Sequence, residues 1–108
     1  MYDVLAVLRY ELHITTSTRK KAQTRVNPFV EIQGERGDTG KRKLLKSSSP
    51  GVEFQSGKTD IFAIDAVDLI RPVKLTIGHD NSTKGEGWHV ERVIIKSQGE
   101  DYIFPCNR

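Results

Sequence analysis

Apolar and polar residues alternate along most of this chain, and no stretch repeats at the 3.6-residue period of a helix. Tyr10, Leu12 and Ile14 fall on one side of an extended segment, with Glu11, His13 and Thr15 on the other. Val30 and Ile32 alternate with Glu31 and Gln33, and Val73, Leu75 and Ile77 with Lys74 and Thr76. Ile61-Phe62-Ala63-Ile64 reads as a short buried strand, Val90 to Ile95 as another, and Tyr102-Ile103-Phe104 closes the series. β-Branched residues dominate these runs, as a pleated half-buried surface favours.

Turn residues separate the runs. Gly34 through Gly40 reads as a tight polar connection, and Ser47-Ser48-Ser49-Pro50-Gly51 as a loop. Gly78 through Gly87 reads as a long excursion, and Ser97 to Asp101 as a hairpin turn. At most one helical turn fits, near Ala66-Val67-Asp68-Leu69. Short strands and turns at this spacing predict an all-β antiparallel sandwich. At 108 residues the chain is expected to hold one domain. It covers residues 10–108, with 1–9 as an N-terminal extension or linker. The abrupt ending at Arg108 suggests a domain cut from a longer protein.

Seventeen Lys and Arg against fourteen Asp and Glu leave a net charge of +3, too little for a dedicated nucleic-acid binder. Aromatic and basic residues do not alternate on one strand face, which argues against an oligonucleotide-binding barrel. Cys106 is the single cysteine and cannot form an internal disulfide, which suits a reducing, cytoplasmic compartment. Met1 to Leu8 is too short to span a bilayer and lacks the basic leader of a signal peptide. There is no nucleophile elbow, phosphate-binding loop or zinc helix. His13, His79 and His89 stand singly; with Cys106 the last two match no zinc spacing. A non-enzymatic chain is the expectation. Asn81-Ser82-Thr83 fits a glycosylation sequon, relevant only to a secreted chain.

Three segments carry candidate binding groups. Ser17 to Asn27 holds Arg19, Lys20, Lys21 and Arg25, a cluster suited to anionic lipid or an acidic protein surface. Gly78 to Trp88 holds Asp80, Asn81 and Glu86, oxygen donors of the kind calcium takes. Ser47 to Thr59 holds Glu53, with Asp60 next to it. Trp88 opens a strand with Val90, Val93 and Ile95, which favours a core or core-rim role over a membrane anchor.

The order of these segments resembles that of PLAT domains, also called lipoxygenase-homology (LH2) domains. Tyr10 to Thr16 looks like the family's first strand, and Thr24 and Asn27 keep two members of its Gly-Thr-Asp-Ala-Asn segment. Phe54, Gly57, Asp60 and Phe62 resemble its Phe-x-x-Gly-x-x-Asp-x-Phe segment, and Asp68-Leu69 its Asp-Leu pair. His79-Asp80-Asn81 precedes a tryptophan-initiated strand, here Trp88, as in the family. The Gly37 to Arg42 turn and the Phe104 to Arg108 ending most resemble tandem-repeat members from sensory hair cells. The resemblance implies a sandwich of two four-stranded sheets that docks lipid or protein without catalysing a reaction. It also implies neighbouring PLAT repeats and a membrane- or cytoskeleton-associated place in stereocilia.

Some family members bind calcium in end loops, and by resemblance Asn27, Asp80, Asn81 and Glu86 are this chain's candidate donors. Here Arg25 stands where the Gly-Thr-Asp-Ala-Asn segment has its carboxylate, and Gln23 replaces its glycine. With Lys21 nearby, two cations would oppose the ion, each by on the order of 1 kcal/mol at ~4–6 Å. A weakened calcium site is the expectation, with no cofactor required. Three readings follow: a docking module for membrane lipid or protein, a calcium-dependent phospholipid binder, and an accessory domain of a lipid-metabolising enzyme.

Overall fold

The computed structural model describes residues 7–18, 27–45, 47–48, 54–80 and 89–106, with only the backbone of Asn27, His79 and Asp80. Eight strands follow one another: β1 (Val7–Thr16), β2 (Asn27–Gly34), β3 (Gly37–Asp38), β4 (Arg42–Lys43), β5 (Thr59–Val67), β6 (Pro72–Asp80), β7 (Val90–Ser97) and β8 (Glu100–Pro105). They form two four-stranded sheets, and every pairing is antiparallel. The first sheet runs β5-β1-β7-β8; in the second, β2 pairs with β6 on one side and with β3 and β4 on the other.

The alternation read from the sequence sets which residues face inward. Leu12, Ile14, Phe62, Val93 and Ile95 from the first sheet meet Val30 and Ile32 from the second, all nearly or wholly buried. Leu75 and Ile77 pack against this core from β6. Such a half-buried sheet needs no helix to cover it, and among the described residues there is none.

β3 and β4 are two halves of one interrupted edge beside β2, and Thr39 fills the interruption. Its N–H donates to the Ile32 carbonyl at 2.9 Å, while its hydroxyl accepts the Ile32 N–H at 3.0 Å. The hydroxyl thus stands in for the missing backbone carbonyl of the ladder. Arg42 then clamps the turn, donating from Nε to the Thr39 carbonyl and from a guanidinium nitrogen to the Asp65 carbonyl, each at 2.9 Å. Gly37 and Gly40 have φ of 103° and 66°, where a side chain would strain the backbone.

Several expectations need correction. The Ile61 to Ile64 run is not a short buried strand but part of the nine-residue β5, buried on one side only. The helical turn near Ala66 to Leu69 does not form, because β5 continues to Val67. Tyr10 takes the chain round the corner instead: its hydroxyl donates to the Val67 carbonyl and accepts the Leu69 N–H. The Gly34 to Gly40 connection contains β3, and the Gly78 excursion starts only after Asp80, where β6 ends. Val73 does not join Leu75 and Ile77 in the core; it lies at the start of β6 beside a bulge and is half exposed. The Ser97 to Asp101 hairpin forms as read, with Gln98 and Gly99 both at positive φ. That handedness matches the twist of the strands it joins.

Thr39→Val should cost about 1–3 kcal/mol by leaving the buried Ile32 N–H without its acceptor. Thr39→Ser keeps the hydroxyl, so urea unfolding should place it close to the wild type.

Candidate functional site

Three of the four connections that cross between the sheets leave the sandwich at one end. β1 ends there at Thr16, paired with Val90 at the start of β7. β2 begins there at Asn27, paired with Asp80 at the end of β6. β5 also starts there, with Thr59 opposite Thr15. The segments 18–27, 44–59 and 80–89 therefore all join strands at this end.

Hydrogen bonds lock the described parts together. Ser17 donates its N–H to the His89 carbonyl at 2.8 Å and accepts the Ser56 hydroxyl at 3.2 Å on its own carbonyl. Thr16 bonds Lys58 through its N–H and Gly57 through its carbonyl, at 3.0 and 2.9 Å. Ser17, the residue from which the basic segment departs, is thus fixed to the end of the segment that holds the acidic donors.

The Phe-x-x-Gly-x-x-Asp-x-Phe segment builds the support. Asp60 is fully buried; one carboxylate oxygen accepts the Phe54 N–H at 2.8 Å and the other lies 3.1 Å from the Lys58 ammonium. The Phe54 and Phe62 rings stack 5.7 Å apart beneath the loop. Gly57 turns it at φ 76°, and a Cβ there would also approach the Thr18 methyl to 3.2 Å. Asp60, named with the third segment as a candidate binding group, is instead spent inside the domain. Glu53 lies outside the described residues.

Of the calcium candidates, the structure brings Asn27 and Asp80 together as backbone partners across β2 and β6. Asn81 and Glu86 lie outside the described residues, as do the basic candidates Arg19, Lys20, Lys21 and Arg25, and Trp88. Among the described residues no three His, Cys, Asp or Glu side chains stand close enough to hold a metal ion. His13 is on the outer side of β1, its Nε2 3.1 Å from a Glu11 oxygen. Cys106 is half-buried and bonds through its N–H to the Glu91 carbonyl, which secures the end of β8.

One group near this end was not singled out from sequence. Phe29 lies against Gly78 across β6, where a Cβ would come within 2.9 Å of the ring. Lys41 sits over that ring with its ammonium 4.2 Å from the centroid, a cation–π contact. The first depends on the Phe29–Gly78 register and the second on the pairing of Phe29 with Lys43 across β2 and β4, neither of which a local sequence signal specifies.

Residues 10–108 match the family model for the PLAT/LH2 domain. The chain belongs to that family. Lipoxygenase homology domain-containing protein 1 of Mus musculus is 36% identical over 102 residues, which is 93% of this chain but 5% of that protein. A lipoxygenase crystal structure superposes with a TM-score of 0.80 and 28% identity, over 95% of this PLAT domain and 15% of that chain. Coral 8R-lipoxygenase, described as activated by calcium through a C2-like domain, gives 0.76 and 29% over 93% of this chain and 15% of its own. The PLAT chain spans only a small part of each of these relatives, and the solved ones share its sandwich.

Asp60→Ala should unfold the domain more easily by about 3–5 kcal/mol, since it removes the buried partner of Lys58 and of the Phe54 N–H. Thermal melting checks the loss. Hydrogen exchange should show the Gly57 and Ser17 amides losing protection together.

Proposed function

We propose that this PLAT domain is a non-catalytic docking module that meets an anionic membrane surface, or an acidic protein surface, with the end from which three connections leave. The supporting observation is the bond from Ser17 to His89 together with the Asn27–Asp80 pairing, which anchor the basic and acidic segments side by side. Arg19, Lys20, Lys21 and Arg25 depart from that anchor. Each cation near an anionic surface contributes roughly 1 kcal/mol, and the contribution falls with salt. The C2-like domain of coral 8R-lipoxygenase adds an analogy in which this fold serves the activation of an enzyme by calcium. The proposal extends to a cytoplasmic, membrane- or cytoskeleton-associated site, and to neighbouring PLAT repeats or a lipid-metabolising enzyme as partners.

Vesicles containing phosphatidylserine or a phosphoinositide should bind the domain in chelator, and binding should weaken as salt rises. Reversing all four cations (Arg19→Glu, Lys20→Glu, Lys21→Glu, Arg25→Glu) should lower affinity at least a hundredfold, at about a factor of five per residue. Unchanged binding by that variant would eliminate the basic segment as the contact.

The pairing of Asn27 with Asp80 favours a second reading, calcium-dependent binding. Asn27, Asp80, Asn81 and Glu86 would supply oxygens, opposed by Lys21 and Arg25. Calorimetric titration should then show weak calcium binding that Asp80→Asn and Glu86→Gln each diminish. Equal heats from all three proteins would count against it.

A further inference from the structure

The outer face of the first sheet carries an apolar row where a solvated sheet would be polar. Strand pairing sets Ile61 beside His13, His13 beside Ile94, and Ile94 beside Ile103, so the row crosses β5, β1, β7 and β8. Ile103, on the edge strand, is 64% exposed. Beyond β5, Leu45 is 83% exposed and lines a 230 Å³ hollow with Lys43, Leu44, Phe62 and Ala63. A band of this kind rimmed by polar groups marks an interaction surface.

The charges around the row already have partners on the same face. Arg9 pairs with Asp65 at 3.1 Å, and the Asp65 hydrogen bond, then its charge, raises the arginine's pKa. Lys96 pairs with Asp101 at 3.3 Å and Arg92 with Glu91, and the His13 ring hydrogen-bonds Glu11 at 3.1 Å. A face neutralised from within offers no steering field to an anionic bilayer. It suits a flat surface that is apolar along the same line and equally neutral.

We propose that this face packs against the same face of a second copy of the chain. The registers carry the argument. A two-fold axis parallel to the strands, between β1 and β7, lays β1 on the β7 of the second copy and β5 on its β8. Ile61 then meets Ile103 of the second copy, and His13 meets its Ile94. At the neighbouring level Glu11 meets Lys96 of the second copy, and Thr15 meets its Arg92, because those residues are already level across β1 and β7. No like charges face one another in these pairs. Such a contact is isologous, with the two sheets stacked about 10 Å apart as within a sandwich. Four strands about 4.8 Å apart and four outward rows about 6.8 Å apart give a flat area of roughly 500 Å² per copy. A standard stable complex buries about 800 Å² per partner, so the association is concentration-dependent, in the micromolar range or weaker. This interface uses neither the basic segment nor the calcium candidates, so it stands or falls apart from the docking function.

Sedimentation velocity from roughly 5 to 500 µM tests it, that range bracketing a weak interface. The wild type should shift from monomer toward dimer. Ile103→Asp, at an exposed position, should stay monomeric throughout with an unchanged melting temperature. Lys96→Glu should weaken association by placing two carboxylates together, and the double variant with Glu11→Lys should restore it. A wild type that remains monomeric at every concentration overturns the proposal. So does self-association that Ile103→Asp leaves intact. A monomer whose binding to phosphatidylcholine vesicles drops with Ile103→Asp would make the row a membrane surface instead, and would also overturn it.

Discussion

A buried carboxylate, that of Asp60, holds together the loop-bearing end of this domain. Asp60 sits in the core at the second position of β5 and ties the Phe54 N–H and the Lys58 ammonium into one closed loop. That loop bonds the end of β1 through Gly57 and Lys58, and the end of β1 bonds the start of β7 through Ser17. A buried charge is costly unless it is paired and hydrogen-bonded, so the loop is forced to stay closed around it. The rigidity of the end from which the basic segment leaves follows from that cost.

The opposite end is organised by close approach. Gly34 lies so near Leu69 that a Cβ would stand 2.4 Å from the leucine's own, and Leu69 is fully buried under the corner made by Tyr10. Ile70 reaches φ 68° there, an unusual conformation for a β-branched residue, with its N–H held by Asp68. One connection between the sheets, from β5 to β6, crosses at this end, and the other three leave from the far side. The two ends of the PLAT sandwich therefore differ: one is tight, and the other bears three of the four connections between the sheets.

The two outer faces differ as well. On the second sheet Lys41 lies over the Phe29 ring of β2, whereas the outer face of β5, β1, β7 and β8 has charges paired around an apolar row. The docking proposed for the loop-bearing end and the self-association proposed for the flat face use different residues, so the two contacts would not compete.

Much of this was readable from the residues alone. Alternation at Tyr10, Leu12 and Ile14 specified the inward side of β1, because a strand's side chains alternate whatever surrounds it. The spacing of Phe54, Gly57, Asp60 and Phe62 marked a family segment, and the turn at Gln98-Gly99 was evident from local chemistry. Long-range register was not. That Asn27 stands opposite Asp80, that Thr39 completes the ladder beside Ile32, and that Ile61, His13, Ile94 and Ile103 form one row are decided between strands far apart in sequence. Asp60 shows the limit most clearly: as a residue type it could bind an ion, and only its burial beside Lys58 makes it a structural group. Local pattern determines which way a side chain points; tertiary packing decides what it meets, because pairing partners are chosen by the whole core at once.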